Sequence, residues 1–420
     1  MEQSETYTER QKMGVLALST VVLGVIVGLS SVVLSLFLDV IEHFFLGFEE
    51  NTLVPVAIHA AGTQRLLSVT IGGIIAAGLW FIVQTKMKPT VGINKALEGE
   101  TMPLGASILH AVTQVFYVAT GGSVGRELAP REMGALLAQR WEMLLAKWHL
   151  DTLTADDRRL LIAAAAGAGF AGIYIAPITG MLFAVEILHK NVSKRSVSVS
   201  LGMSLIAMLV GASIKGFHPY YFVADRHFDL KMLPFVIVVG PIMGIAGAYF
   251  RKVFQWAGGK AKAKQVQVLW QLPLAALATG IVAYFFPQIM GNGRGLAELA
   301  INNESTKLIG MLAIGMILKA VITVFTLKAG AYGGTLAPSI GIGGSFGAIL
   351  GFAYVMMMPG ASIDQAAVIG ATALLSASQQ APLMALFMMF EVTHMDYSAL
   401  LPMGLSVVLA ITTSKLILKK

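Results

Sequence analysis

Long apolar runs, separated by short polar or glycine-rich turns, cover almost the whole chain. The first run, residues 13–48, is longer than the roughly 20 residues that a perpendicular membrane span needs, so it predicts a strongly tilted helix. Other runs of spanning length lie at residues 66–84, 196–214, 233–254, 269–286, 308–327, 340–358 and 400–418. This pattern predicts an all-α protein that crosses a membrane many times, with short non-spanning helices between the spans.

Two glycine-rich breaks interrupt the apolar pattern at membrane depth. The apolar segment 106–120 is too short to cross a bilayer alone, and it runs into Gly-Gly-Ser-Val-Gly-Arg-Glu-Leu-Ala-Pro at residues 121–130. The second break, Gly-Ala-Tyr-Gly-Gly-Thr-Leu-Ala-Pro at residues 330–338, follows a predicted span. Irregular backbone at this depth is tolerated only where it is buried in protein or lines a cavity. The two breaks therefore predict one shared interior site, although close helix packing would also account for glycines here.

An internal repeat relates the two parts of the chain. A glutamate stands nine positions after an Ala-Pro pair in both copies, from Pro177 to Glu186 and from Pro382 to Glu391, and a histidine follows each glutamate by three. Doubled halves whose broken helices meet near the bilayer midplane are typical of transporters. The residues alone leave open whether the halves run parallel or inverted. A hydrogen bond at a helix end is the plainer interpretation of Glu186 and Glu391.

The repeat divides the chain into a polar N-terminal segment (1–12), a first half (13–217), a linker (218–231) and a second half (232–420), with no separate soluble domain. Residues 1–12 carry mixed charge, unlike the basic start of a cleavable signal peptide, so we expect this segment to be retained. The midplane site would then be built by both halves.

Composition agrees with a membrane protein and excludes several other classes. The chain is 56% hydrophobic and 13% charged, with a mean hydropathy of +0.74, whereas soluble domains are about 45–50% apolar and about 25% charged. The net charge of +7 is spread over short loops, which is not typical of a nucleic-acid surface. The absence of cysteine excludes disulfides and thiolate metal sites. No cofactor, metal or enzyme active site is predicted, because no metal-ligand spacing, phosphate-binding loop or nucleophile–base set accompanies the glycine breaks.

The two breaks together supply many hydrogen-bond donors. A helix that begins near Glu127 would leave its first N–H groups unpaired, and such helix ends attract anions. The candidate donors are backbone N–H groups and two hydroxyls, contributed by Ser123, Gly125, Arg126, Leu128, Ala129, Gly334, Thr335 and Leu336. Donors without a ring of carboxylates favour an anion over a cation.

Glu127 is the candidate for proton transfer. An ionisable residue inside a membrane is a functional candidate by default, and this carboxylate can either occupy the anion site or take a proton and leave it. The alternative is a structural ion pair with Arg126, although sequence neighbours on a helix do not face each other. The first interpretation predicts that anion movement is coupled to protons.

These motifs resemble those of the CLC family of chloride channels and proton-coupled anion exchangers. Residues 125–127 resemble its Gly-Lys/Arg-Glu-Gly-Pro motif, residues 333–338 its Gly-Gly-Ile-Phe-Ala-Pro motif, and residues 381–393 its late Ala-Pro-Leu…Glu-Met-Thr segment. The resemblance covers nearly the whole chain in order. It implies two inverted repeats, a homodimer with one pore per subunit, Glu127 as the gating and proton-accepting glutamate, and anion contacts from the amides of Thr335 and Leu336.

The chain also departs from the family pattern around the predicted anion site. Residues 90–94, Thr-Val-Gly-Ile-Asn, stand where the family has Gly-Ser-Gly-Ile-Pro. Val91 therefore replaces the serine whose hydroxyl would contact a central chloride, and the resemblance implies that Val91 and Gly92 line the anion site at that position. Leu128 and Ala129 stand where the family has Gly-Pro.

Two further departures concern the proton route and the selectivity. Ile187 follows Glu186 where chloride exchangers carry an inner proton-transfer glutamate, and the chain ends at Lys420 with no candidate for the family's pore tyrosine. Loss of both pore hydroxyls resembles the bacterial fluoride/proton antiporters of the family, and small fluoride suits short, strong hydrogen bonds. We predict a fluoride/proton antiporter of the bacterial inner membrane, whose partners are fluoride or chloride, protons and the lipid bilayer. A chloride/proton exchanger or passive chloride channel is the alternative.

Overall fold

The computed structural model describes residues 8–51, 54–150, 152–259, 261–302 and 305–419. In these ranges the regular structure is helical, apart from one isolated bridge between Gly125 and Gly334. The α-helices, numbered in chain order, are α1 (Glu9–Leu46), α2 (Gly62–Thr85), α3 (Ile93–Leu97), α4 (Leu104–Ala119), α5 (Leu128–Lys147), α6 (Ala155–Tyr174), α7 (Pro177–Leu182), α8 (Lys194–Lys215), α9 (Leu233–Gly258), α10 (Val268–Phe285), α11 (Arg294–Ile301), α12 (Ile309–Lys328), α13 (Leu336–Met357), α14 (Ile363–Gln379), α15 (Pro382–Thr393) and α16 (Leu400–Leu418). A π-helix, Phe183–His189, continues α7, and short 3-10 segments lie at Leu230–Met232, Gln265–Gln267, Pro287–Ile289, Thr306–Leu308 and Tyr397–Ala399.

Eight helical segments in the described part of the chain are long and apolar enough to cross a membrane. They contain α1, α2, α8, α9, α10, α12, α13 and α16. The first is 38 residues long, well beyond the length of a perpendicular span, as predicted from its apolar run. The all-α, multi-pass membrane fold predicted from the sequence is confirmed.

One of two units of the chain comprises Met1–Leu34, Pro89–Ile108 and Pro130–Phe217. In it α6 packs against α7 and α8. A Cβ atom added at Gly211 would lie 2.2 Å from the carbonyl oxygen of Gly172, so α6 and α8 touch backbone to backbone. Close approach through small residues is the usual means of packing membrane helices.

The other unit comprises Ser35–Lys88, Leu109–Ala129 and His218–Lys420. Its largest helix pairs are α13 with α14, α2 with α10, and α9 with α16. A Cβ atom on Gly343 of α13 would lie 2.8 Å from the carbonyl oxygen of Gly370 in α14, so small residues again set the packing distance. This unit contains the first glycine break as far as Ala129 and the whole of the second, residues 330–338.

The sequence repeat is present in the backbone. Ile175 and Gln380 end α6 and α14 in the left-handed conformation, with φ of 55° and 57°. The alanines that follow, Ala176 and Ala381, have φ of −128° and −133°, and a proline then begins α7 and α15. The division into repeat halves at residues 218–231 stays a prediction.

The structure also differs from the predicted elements at particular places. The apolar run 160–174 predicts a helix that starts at Leu160, but α6 begins five residues earlier, at Ala155, because Thr154 and Asp157 form a capping box over its polar first turn. The glycines at residues 291–295 predict a polar turn, and the structure adds helix α11, which begins within that turn at Arg294. Its start is fixed locally, since the Asn292 side chain accepts a hydrogen bond of 3.0 Å from the Arg294 N–H.

Candidate functional site

The two glycine breaks meet in one unit of the structure. Gly125 and Gly334 form an antiparallel bridge in which each N–H donates to the other's carbonyl, at 2.8 and 2.7 Å. A Cβ atom on Gly125 would lie 2.0 Å from Oε2 of Glu127 and 2.7 Å from the Gly334 carbonyl oxygen. Glycine is therefore required at 125, because any side chain would displace either the Gly334 backbone or the carboxylate of Glu127.

The side chain of Glu127, the residue just before α5, reaches the N-terminus of α13. This side chain is fully buried, and its Oε1 accepts a hydrogen bond of 2.7 Å from the N–H of Ala337, the second residue of that helix. Helix N-termini carry unpaired N–H groups and a partial positive charge, which together bind anions. The carboxylate of Glu127 thus occupies a place suited to an anion.

A buried lysine, Lys319 of α12, organises the same region. Its Nζ donates to Oγ of Ser123 at 2.9 Å and to the carbonyl oxygens of Ile289 and Gly291 at 3.0 and 2.7 Å. Ser123 Oγ also lies 3.0 Å from Oγ1 of Thr323. The Ser123 hydroxyl, a predicted anion donor, is engaged in this network. Lys319 was not among the predicted site residues, although a single lysine in a long apolar run is itself a signal of function.

Arg126 forms an ion pair with a residue far away in the sequence. Its Nη2 lies 3.0 Å from Oε1 of Glu50, and Nη1 of Arg294 lies 3.0 Å from the same oxygen. The hydroxyl of Tyr220 donates to this oxygen at 2.9 Å. Arg126 therefore pairs with Glu50, a partner that was not predicted from the sequence.

Two carboxylates outside the spanning helices have opposite electrostatics. Burial raises the pKa of Glu50, but Arg126 and Arg294 outweigh it and hold that pKa below the ordinary value. Burial raises the pKa of Glu298 to about 7. Glu298 accepts hydrogen bonds from the Phe222 N–H at 3.1 Å and from the Asn302 amide at 2.6 Å. Glu50 is therefore ionised at neutral pH, whereas Glu298 titrates there.

The other predicted site residues fall into two groups. Thr335 and Leu336 stand at the beginning of α13, and Leu128 and Ala129 begin α5. Val91 and Gly92 precede α3 and belong to the unit that does not contain Glu127. The contribution of all six residues to anion binding stays a prediction.

A sequence model of the family described as "Voltage gated chloride channel" matches residues 72–415. Similar proteins include the voltage-gated ClC-type chloride channel ClcB of Citrobacter koseri, which is 26% identical over 84% of this chain and 85% of its own length. The putative chloride channel protein ClcB-like of Ralstonia nicotianae is 27% identical over 89% of this chain and 87% of its own length.

Solved structures with this fold include two kinds of anion transporter. A slow cyanobacterial Cl⁻/H⁺ antiporter superposes with a TM-score of 0.79 at 21% identity, covering 98% of this chain and 96% of its own. A CLC-type fluoride/proton antiporter superposes with a TM-score of 0.72 at 21% identity, covering 97% of both chains. The family resemblance predicted from the glycine breaks is confirmed: the chain belongs to the CLC family of voltage-gated chloride channels and related anion/proton transporters.

Proposed function

We propose that this protein exchanges chloride for protons across the bacterial inner membrane and that Glu127 carries the proton. The observation that supports this most strongly is the 2.7 Å hydrogen bond from the Ala337 N–H to the buried Glu127 carboxylate. An ionised acid at a helix N-terminus is a tethered substitute for a permeating anion. The same group, once protonated, is no longer attracted to that helix end.

The exchange follows from competition between the acid and the ion. Chloride that reaches the N-terminus of α13 displaces the Glu127 carboxylate, and the amides of Thr335 and Leu336 are the proposed donors to it, because the Gly334 N–H already donates to the Gly125 carbonyl. The displaced carboxylate takes a proton from the solution that it then faces. When the neutral acid releases the proton toward the opposite side, its carboxylate returns and drives chloride out. Lys319 keeps the region positive, which favours both competing anions.

Chloride is favoured over fluoride by the relatives. The ClcB proteins are named as chloride channels and match most of this chain, and the Cl⁻/H⁺ antiporter has the same fold. Fluoride is the second candidate, because Val91 replaces the serine of the chloride-binding motif and a fluoride/proton antiporter also shares the fold. A passive chloride channel would have the same acid without proton movement.

Location and assembly are proposed from the same relatives. Bacterial relatives, and the eight candidate membrane spans found among the described residues, support a multi-pass protein of the inner membrane. We propose a homodimer in which each subunit has its own anion path, as the family resemblance implies. Cross-linking in native membranes would test the dimer independently of transport.

The test is initial efflux from liposomes that contain the purified protein, with a chloride or fluoride electrode and a pH electrode in the same chamber. Chloride efflux accompanied by proton uptake, with slower fluoride efflux, is the expected result. Fluoride efflux faster than chloride efflux would show that fluoride, not chloride, is the main substrate. Chloride efflux without proton uptake would indicate a passive channel. The absence of any anion movement would refute the proposed transport.

A further inference from the structure

A cluster of buried charges adjoins Glu127 through its neighbour Arg126 and has no role in the exchange described above. The side chains of Glu50, Arg126 and Arg294 are 9%, 6% and 5% exposed. Burying charged groups costs several kcal/mol per ion unless they are well paired. A cluster of this kind therefore requires a structural or functional reason.

One oxygen of Glu50 lies at the centre of the cluster. Its Oε1 accepts hydrogen bonds from Arg126 Nη2 at 3.0 Å, Arg294 Nη1 at 3.0 Å and the Tyr220 hydroxyl at 2.9 Å. Three donors that converge on one oxygen give the coordination of a small spherical anion, and two of them are charged guanidinium groups.

The donors are held in place by contacts of their own. Arg294 Nη2 donates to the Tyr220 carbonyl at 2.6 Å, and its guanidinium carbon lies 3.9 Å from the centre of the Tyr220 ring. The Asn292 amide donates to the Tyr220 hydroxyl at 2.8 Å. These contacts do not involve Glu50, so Arg294 and Tyr220 retain partners when its carboxylate is absent.

Glu50 itself comes from the loop after α1 rather than from a helix. The preceding residue, Glu49, has a side chain that is 64% exposed, so Glu50 enters the protein from the surface. A cavity of about 20 Å³ lies beside it, lined in part by Glu42, Gly121 and Asn292. This volume holds about one water molecule. Movement of the loop can withdraw the carboxylate without unwinding a helix.

We propose that Arg126, Arg294 and Tyr220 form a second anion site, for a small monovalent anion such as a halide, and that Glu50 fills it as a tethered substitute. The proposal rests on the proposed anion transport only in placing this site on the anion path next to Glu127. Two guanidinium groups facing one carboxylate favour an anion whenever Glu50 withdraws. Glu50 would then act as a plug: when its carboxylate occupies the second site, it blocks the anion path next to Glu127.

Anion binding is tested first, because it does not require transport. Crystals of Glu50→Ala grown in bromide should give an anomalous peak between Arg126 and Arg294. The peak should be missing in the wild type, in Glu49→Ala and in the double variant Glu50→Ala/Arg294→Met. Absence of bromide from Glu50→Ala would overturn the proposal. If Glu50→Ala does not fold, Glu50→Gln should bind bromide more weakly at the same place, and its failure to do so would count equally against the site.

Transport by the same variants tests the plug. Chloride efflux from liposomes should rise about fivefold or more in Glu50→Ala, which is the lower end of typical coupling effects. Acetate should return this efflux toward the wild-type rate by refilling the site, and it should not change efflux by the wild type or Glu49→Ala. Unchanged or slower efflux in folded Glu50→Ala, with no effect of acetate, would show that Glu50 is a structural ion partner. A wild type without chloride transport would refute the proposed function and leave the bromide result valid.

Discussion

The carboxylate of Glu127 accepts a hydrogen bond of 2.7 Å from the backbone N–H of Ala337. The two residues belong to different glycine breaks, which the bridge between Gly125 and Gly334 holds side by side. The position of the acid is therefore set by backbone contacts as well as by its own side chain. Changes in the bridge should alter transport even where Glu127 is intact.

We expect Gly125→Ala to impair both stability and transport. Its new methyl group would lie 2.0 Å from Glu127 Oε2 and 2.7 Å from the Gly334 carbonyl oxygen, so the acid and the bridge must both shift. Overpacking of this kind costs about 1–3 kcal/mol. Thermal unfolding in detergent and chloride efflux from liposomes measure the two effects.

The matched control is Gly78→Ala in α2, because a Cβ atom at Gly78 has nothing within 4 Å. Replacing glycine by alanine inside a helix should stabilise the protein by about 0.5–1 kcal/mol. Its efflux should equal that of the wild type. Equal stability and efflux in the two variants would refute the packing described around Gly125.

Lys319→Met should weaken chloride binding. The substitution keeps most of the side-chain length but removes a fully buried positive charge and three hydrogen bonds, to Ser123 and to two backbone carbonyls. We expect about a tenfold rise in the chloride dissociation constant, which corresponds to about 1.4 kcal/mol, and a lower unfolding temperature from the unsatisfied carbonyls. Isothermal titration calorimetry in detergent measures the affinity.

Lys328→Met is the control for this measurement, since Lys328 ends the same helix with its side chain exposed. Its chloride affinity should match that of the wild type. Lys319→Arg, which keeps the charge, should bind chloride more tightly than Lys319→Met. Wild-type affinity in Lys319→Met would show that the buried charge does not contribute to anion binding.

The pH dependence of stability should depend on Glu298. Burial raises the pKa of this group from its ordinary 4.5 to about 7, so the folded protein favours the neutral acid. The stabilisation is fully present below pH 4.5 and is lost as the pH rises through 7, by about 3 kcal/mol at most. Burial raises the pKa of Glu50 as well, but Arg126 and Arg294 outweigh it and hold that pKa below the ordinary value, the opposite direction from Glu298.

Unfolding temperatures at pH 5 and pH 8 test this expectation. The wild type should be less stable at pH 8 than at pH 5, and Glu298→Gln should lose much of that difference because glutamine stays neutral. The exposed carboxylate Glu98 supplies the control variant Glu98→Gln, which should keep the wild-type difference. If the unfolding temperature of Glu298→Gln differs between pH 5 and pH 8 as much as that of the wild type, the pH dependence belongs to another group.

Local features of the sequence predict the breaks and the repeat well. Glycines beside charged residues in apolar surroundings stand out at residues 121–130, and the Ala-Pro pairs fix the starts of two short helices. The membrane-spanning helices can also be predicted, because an apolar run of about 20 residues is most often a transmembrane helix. The donor to Glu127 could only be located to within a residue or two, since the start of α13 depends on the bridge at Gly334.

Partners that come from distant parts of the chain could not be predicted. Glu50 meets Arg294 across 244 positions, and no spacing rule connects a loop acid with the first residue of an unpredicted helix. Helix α11 escaped prediction because it has only eight residues and follows a glycine-rich turn. Lys319 could have been found, as a lone charge within a spanning run is uncommon.

The most direct test of the central claim is proton movement in Glu127→Gln, measured in liposomes with chloride and pH electrodes recording together. Glutamine keeps the shape of the acid but cannot carry a proton, so we expect chloride efflux to persist while proton uptake falls to the level of protein-free liposomes. The exposed control, Glu98→Gln, should retain the wild-type ratio of chloride to protons. Proton uptake at that same ratio in Glu127→Gln would contradict the account.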